Sequence, residues 1–283
     1  MNYRHAYHAG NFADVMKHVV LALVIAHFKQ KPAPFRVIDT HAGIGAYDLS
    51  GEEAQKTAEA SDGIVKVMGA RFSPDVSALL ADYLDVVRSL NSGGEIIRYP
   101  GSPLLARSLV RGCDSIVANE FHGEDHLLLS QLFRRDEVVK VMGIDGWVAL
   151  KSLLPPKERR GIILVDPPFE ERDEFERMAQ GLRDGLHRFR TGCYLLWYPI
   201  KGETACDVFN NLVRQSETAS VLNVTFMIRA ARDTRILNGC GMTIVNPPFE
   251  LDRKLQLVMP ALARVLRRGD GARADVTWFK RST

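Results

Sequence analysis

Asp166-Pro167-Pro168-Phe169 puts a carboxylate, two rigid imino acids and an aromatic ring in four consecutive positions, directly after the apolar run Gly161-Ile-Ile-Leu-Val165. This combination suits methylation of an exocyclic amine such as adenine N6, a weak nucleophile because its lone pair is delocalised into the ring. A side-chain acceptor and a prolyl carbonyl that take the two N6 hydrogens favour a more pyramidal nitrogen, aimed at the incoming methyl carbon. The aromatic residue offers a face to the base, and the paired prolines set the geometry before substrate arrives. Asp166, Pro167 and Phe169 are therefore the candidate catalytic residues. Asp166 is expected to serve as a hydrogen-bond acceptor, since the nitrogen need not lose its proton before the new bond forms.

A second string of the same kind, Asn246-Pro-Pro-Phe249, follows another apolar run. Counting strand-like segments puts Asp166 after the fourth, across from a glycine turn, whereas Asn246 follows what reads as the last strand. Asn246–Phe249 is expected to be a structural turn.

The glycine turn is Asp39-Thr-His41-Ala-Gly43-Ile-Gly45. Glycine between a strand and a helix lets the backbone approach a polar ligand, because no Cβ blocks it. A dinucleotide fingerprint would need Gly or Ala at position 48, which is Asp48, so a nicotinamide or flavin dinucleotide is disfavoured. A nucleoside ligand still needs an acceptor for its ribose hydroxyls, and Glu120 stands where the second strand ends. Asp145, after the third, could accept from a cofactor's adenine amino group, with Gly146 leaving room beside the ring. These residues point to a nucleoside cofactor.

The elements that must position these groups alternate. Strand-like runs at 35–39, 115–119, 138–142, 161–165, 193–198, 222–228 and 242–245 are mostly separated by segments of helical length, which predicts an α/β fold with an open, mainly parallel sheet. In such sheets ligands bind beyond the carboxyl ends of the strands, where the acidic residues and glycines stand. Residues 48–99 exceed what one crossover needs and are read as an inserted helical subdomain, leaving 1–47 and 100–283 as the core.

The chain has 283 residues, 46% hydrophobic and 25% charged, with a formal net charge of +3. That suits a globular protein with one large core, and allows a nucleic-acid partner without demanding one. Cys113, Cys193, Cys206 and Cys240 are dispersed, which suggests neither a zinc site nor a disulfide framework. The longest apolar stretch, 19–28, reads as a buried helix too short for a bilayer, and the polar N-terminus does not read as a secretory signal. No membrane association and a cytoplasmic location are expected.

Half of the eight histidines fall within the first 27 residues, and the opening from Tyr3 to His18 is too polar for a simple core helix. His5, His8 and His18 lack the cysteine or carboxylate companions of a metal site, so no metal is expected. Tyr3, His5 and Lys17 are taken as contacts to an exposed nucleotide, with Phe169 stacking on its base.

The opening YRHxxHAGNxADVxKH, DTHAGxG at 39–45, YPGSP at 99–103, DG at 145–146, RGIILVDPPF at 160–169, LLWYP at 195–199 and the late NPPF together cover essentially the whole chain. In these it resembles the ribosomal large subunit methyltransferase J family of bacterial 23S ribosomal RNA adenine-N6 methyltransferases. The resemblance implies a class I S-adenosylmethionine-dependent methyltransferase sheet (Rossmann-like) with an inserted helical subdomain, S-adenosyl-L-methionine as cofactor, and a single adenine of 23S ribosomal RNA as substrate. It implies cofactor contacts at His18, His41, Ser102, Glu120, Asp145, Gly146 and Asp166, to which the glycine turn adds Gly43. Asp166 is implied as the catalytic residue and Tyr3 as an RNA contact. Naked RNA and a monomer are implied as well. Where relatives carry Tyr after the second proline, this chain has Phe169, which keeps the stacking face. The motifs alone leave open a DNA adenine-N6 methyltransferase, whose loop chemistry is the same, or a nucleic-acid-binding protein without catalysis.

Overall fold

A computed structural model describes residues 7–214 and 220–281. The first helix, α1 (Phe12–Phe28), begins seven residues before the apolar stretch that announces it. Asn11 caps it, its side chain accepting from the amides of Ala13 and Asp14 at 2.9 and 3.0 Å. Asp14, Lys17 and His18 lie inside the molecule on this helix. A polar opening can belong to a core helix when its polar groups are paired with one another.

The large sheet contains β1 (Arg36–Asp39), β4 (Ser115–Asn119), β5 (Val139–Met142), β6 (Gly161–Val165), β7 (Cys193–Ile200), β8 (Val221–Met227), β9 (Gly239–Val245) and β10 (Arg273–Lys280). Its order is β10-β8-β9-β7-β6-β1-β4-β5. The five strands from β5 to β7 run parallel, β9 runs antiparallel to both β7 and β8, and β10 is antiparallel to β8. This is the class I methyltransferase sheet, extended by one edge strand. All seven strand-like runs of the sequence are present. The strand β10 was not expected, and β9 is therefore not the last. Burial on β10 alternates as an exposed edge strand's does.

The order reverses at β1, which lies between β4 and β6, so the switch-point crevice opens above β1. The register pairs Asp39 with Leu164, and Thr40 N donates to Leu164 O at 3.0 Å. The loops after β1 and β6 therefore leave the sheet side by side.

Between β1 and β4, β2 (Ala46–Asp48) pairs antiparallel with β3 (Arg98–Pro100). That ladder brackets three helices, α2 (Glu52–Thr57), α3 (Ile64–Gly69) and α4 (Pro74–Ser89). Helix α4 buries Leu80, Tyr83, Leu84 and Val87 in the same apolar cluster as α1 and as α10 (Leu251–Val265). The remaining helices, α5 (Ser102–Leu109), α6 (Gly123–Leu132), α7 (Gly146–Ser152), α8 (Glu174–Arg188) and α9 (Glu203–Arg214), link the strands. Among the described residues, no helix is long and apolar enough to cross a membrane, and no group of three or more His, Cys, Asp or Glu could hold a metal ion.

Candidate active site

A cavity of about 710 Å³ opens above the carboxyl ends of the central strands. Its wall includes His18, His41, Gly43, Ser102, Glu120, Asp166, Pro167 and Phe169, and from the segment between β2 and β3 it includes Glu59. The carboxylate loop and the glycine turn, more than a hundred residues apart in sequence, thus share one space.

Asp166 follows β6 and meets α1. Its Oδ2 accepts from Lys17 Nζ at 2.6 Å, and the same ammonium lies 2.9 Å from Asp14 Oδ1. Lys17 and Asp14 are 5% and 1% exposed and stand almost entirely out of water, while Asp166 reaches the cavity. Burial pulls the Lys17 ammonium toward neutrality, but the charges of Asp14 and Asp166 outweigh it and hold its pKa well above the ordinary value. Lys17, expected as an RNA contact, stands three residues after Asp14 on α1, where its side chain lines the cavity and is held between two carboxylates.

Phe169 has φ of +51°, the left-handed region that residues with a Cβ seldom occupy. Backbone strain of this kind persists where packing fixes it. Here the ring sits 4.9 Å from Phe175 and 6.1 Å from Trp197, centre to centre, which leaves it partly exposed along the cavity wall.

On the other side, Gly43 has φ of +60°, and a Cβ there would meet the Tyr47 hydroxyl at 2.4 Å. Its amide does not stand open to a ligand, because it donates to Glu120 Oε2 at 2.8 Å, while His122 N donates to Glu120 Oε1 at 2.8 Å. Burial nonetheless raises the Glu120 pKa, against those two amides. Each carboxylate oxygen has a second lone pair to offer toward the cavity. Ser102, the first residue of α5, donates its hydroxyl to Asp39 Oδ2 at 2.6 Å. Burial pushes the Asp39 carboxyl up to about 7, opposed by the Ser102 bond and the Lys17 charge.

His41 contacts Thr40 Oγ1 through Nδ1 at 2.9 Å and meets the Trp147 ring edge-on at 5.5 Å. Burial drives its pKa down to about 4, against the charges of Asp166 and Asp145, so the imidazole is neutral near pH 7. His18 pairs through Nδ1 with the Tyr99 hydroxyl at 2.8 Å, and Tyr99 with the Tyr83 hydroxyl at 2.9 Å. That chain ties α1 to α4 and β3.

Asp145 and Gly146 are not part of the cavity wall. Asp145 caps α7, its Oδ1 accepting from the amides of Trp147 and Val148 at 2.9 and 3.0 Å. A Cβ on Gly146 would lie 2.5 Å from His41 Nε2, so this glycine makes room for the His41 imidazole. Tyr3 and His5 lie outside the described residues.

Asn246 stands elsewhere. Because β9 runs against β7, its end emerges at the sheet edge opposite Asp166. There the Asn246 amide donates to Arg190 O and Gly192 O, both at 2.8 Å, in the loop entering β7. Strand direction, rather than a place at the end of the strand series, sets it apart. Asp14, Asp39, Glu59 and Tyr99 were not singled out as site residues from sequence. The i, i+3 spacing of Asp14 and Lys17 was a signal for the first, and Asp39 opens the DTHAGxG string, but Glu59 and Tyr99 have no local pattern.

The sequence model of the family described as "Ribosomal RNA large subunit methyltransferase D, RlmJ" matches residues 32–280. The ribosomal RNA large subunit methyltransferase J of Escherichia coli K12 is 37% identical over 279 residues, 99% of either chain. The protein of the same name from Haemophilus influenzae is 36% identical over 268 residues, 94% of either chain. The crystal structure of a Legionella pneumophila protein superposes with a TM-score of 0.87 at 30% identity, covering 98% of this chain and 99% of that one. Matched along nearly its whole length, with the class I sheet and both motif loops on one cavity, the chain belongs to the RlmJ family of ribosomal RNA large subunit methyltransferases.

Proposed function

We propose that this chain transfers a methyl group from S-adenosyl-L-methionine to the N6 amine of one adenine in 23S ribosomal RNA. The observation that carries this is the shared cavity: the Asp166-Pro-Pro-Phe169 loop and the Gly43–Glu120 turn form two walls of one space of about 710 Å³. That is within the range that small-molecule sites occupy. The relatives named ribosomal RNA large subunit methyltransferase J support an RNA substrate over a DNA one.

The residues present fit a sulfonium nucleoside. Glu120 offers carboxylate lone pairs where a nucleoside's hydroxyls would be met, Ser102 and Asp39 form a polar pair for an amino-acid moiety, and Ala42 and Phe121 give an apolar surface. Bound there, S-adenosyl-L-methionine supplies a methyl group activated by its positive sulfur.

The chain's own residues act on the amine. Asp166 and the carbonyl of Pro167 accept the two N6 hydrogens and hold the lone pair in line. Lys17 fixes the Asp166 carboxylate through Oδ2, so that its orientation precedes substrate binding. Phe169 supplies the stacking face, with a backbone conformation that Phe175 and Trp197 lock. Lys201 and Arg235, both exposed at the cavity wall, are placed to meet phosphates flanking the extruded base. Tyr3 and His5 are kept as RNA contacts, the chain as a cytoplasmic monomer, and unassembled RNA as the substrate.

The test is methyl transfer from labelled cofactor to naked 23S transcripts and to duplex DNA, followed by digestion to nucleosides. N6-methyladenosine from RNA alone is the expected product. Preference for DNA, or label on another atom, would overturn the assignment.

A further inference from the structure

The formal charge is concentrated in one place. The β8–β9 loop, 228–238, and the passage from the last turn of α10 into β10, 264–275, together hold seven arginines against three aspartates, a net +4, whereas the whole chain carries +3. The two segments form one surface. Ala230 N donates to Asp270 O at 2.7 Å, Arg268 N donates to Ile228 O at 2.9 Å, and a Cβ on Gly271 would meet the Ala230 Cβ at 2.9 Å. Buried Asn238 pins the loop, its amide donating to Asp233 O at 2.7 Å and to Lys201 O at 2.8 Å.

This surface begins at the cavity and leads away from it. Lys201 and Arg235 stand in the cavity wall, and β9, β8 and β10 follow β7 toward the sheet edge. Three strand spacings from β7 to β10 make a shelf about 15 Å long, matching about four phosphates along one strand of a duplex. Asp233 and Asp270 pair with Arg235 and Arg267 at 2.9 and 2.8 Å, but both pairs are open to solvent, where such contacts hold weakly. Arg268 faces Asp62 of the inserted segment at 3.4 Å. Arg232 and Arg264 are exposed and form no ion pair among the described residues.

We propose that this shelf grips the phosphate backbone of a base-paired RNA stem beside the target adenine. Neither segment contains an aromatic residue. Surfaces for single strands add rings on which bases stack, whereas a paired strand hides its bases and offers phosphates. Arginine suits that backbone, because its planar, permanently charged head meets two phosphate oxygens at once. The proposal rests on the RNA reading of the site and extends it. Lys201 and Arg235 meet the phosphates nearest the extruded base; Arg232, Arg264 and Arg267 meet those farther along. None of these three stands in the cavity wall, so they act on RNA binding and leave the chemical step alone.

The experiment compares the parent chain with a triple variant, Arg232→Gln, Arg264→Gln and Arg267→Gln. A control loses three exposed charges at the amino ends of the parallel strands, Lys31→Gln, Lys157→Gln and Arg159→Gln. Each is titrated across a range of salt with a stem-containing 23S fragment that the parent methylates, and with a single-stranded oligonucleotide of the same target sequence. The kcat at saturating RNA, the Kd for S-adenosylhomocysteine and the thermal unfolding transition are measured alongside. The triple variant is expected to bind the stem RNA five-fold or more weaker, with a salt slope smaller by about 2–3, at roughly 0.9 per phosphate contact. Its kcat and its Kd for S-adenosylhomocysteine should stay within two-fold, and the control should bind as the parent does. A smaller loss on the stem, an equal loss in the control, or an equal loss on the single strand would overturn the proposal. Should the triple variant unfold early, Arg232→Gln and Arg264→Gln singly decide it, each expected to weaken stem binding at least two-fold. Failure of the RNA reading is distinguishable, because the parent chain itself would then leave 23S transcripts unlabelled or prefer duplex DNA.

Discussion

Lys17 and Asp166 lie 149 residues apart in sequence and 2.6 Å apart in space, joining the first helix directly to the Asp166-Pro-Pro-Phe169 loop. The contact converts a surface-type residue of the polar opening into an internal anchor. Removing the ammonium leaves Asp14 and Asp166 facing one another without a cation between them. Lys17→Ala is expected to destabilise the fold by about 3 kcal/mol or more, as loss of one partner of a buried ion pair does. Denaturant unfolding measures it; a change within about 0.5 kcal/mol would mean that the cluster carries no structural weight.

The two Pro-Pro loops give a paired expectation. Asp166→Ala should lower the methylation rate by on the order of 10²-fold or more, with the unfolding transition kept. Asn246→Ala should retain activity while losing stability by about 1–3 kcal/mol, because the Arg190 and Gly192 carbonyls lose their donors. Rates from labelled methyl transfer read the contrast, and a reversal of the two results would move the active site to the other edge of the sheet.

His41 makes stability depend on pH with a definite sign. Its pKa is held down to about 4 by burial, below the ordinary 6.5. Between those values the unfolded chain binds a proton that the folded chain refuses, so stability rises with pH across this window. The contribution is complete above about 6.5 and is lost as pH falls toward 4. His41→Asn should flatten the pH dependence of the melting temperature in that window; an unchanged slope would show that other groups govern it.

Gly146→Ala tests the packing behind His41. The added Cβ would meet His41 Nε2 at 2.5 Å and the Thr40 carbonyl at 3.0 Å, so the imidazole must leave its place. Overpacking of this kind costs about 1–3 kcal/mol. Calorimetric titration with S-adenosylhomocysteine should show roughly ten-fold weaker binding, about 1.4 kcal/mol. Unchanged affinity would separate His41 from the cofactor site.

At Phe169 the ring should matter and the missing hydroxyl should not. Phe169→Tyr is expected to stay within about three-fold of the parent rate, and Phe169→Ala to lose ten-fold or more through a missing stack of about 1–3 kcal/mol. Steady-state kinetics on 23S transcripts decide it, and equal rates for all three chains would exclude a stacking role.

The residue string alone determined the chemistry-bearing loops and the sheet that carries them. Gly161–Val165 announces a buried strand by its uninterrupted apolar run, and Asp166-Pro-Pro-Phe169 must then leave it as a stiff loop, because proline and strand propensity act over a few residues. Only the tertiary structure decided which partners these groups meet. It folded Lys17 inward between Asp14 and Asp166, turned one oxygen of Asp145 to the α7 cap, set Gly146 against His41, and sent Asn246 to the far edge by reversing β9. Each outcome depends on strand order, strand direction or the side of a helix that faces the core, and these arise from packing between segments far apart in the chain. The edge strand β10 carries no apolar run because half of its residues face solvent, and only the alternation of its side chains marks it.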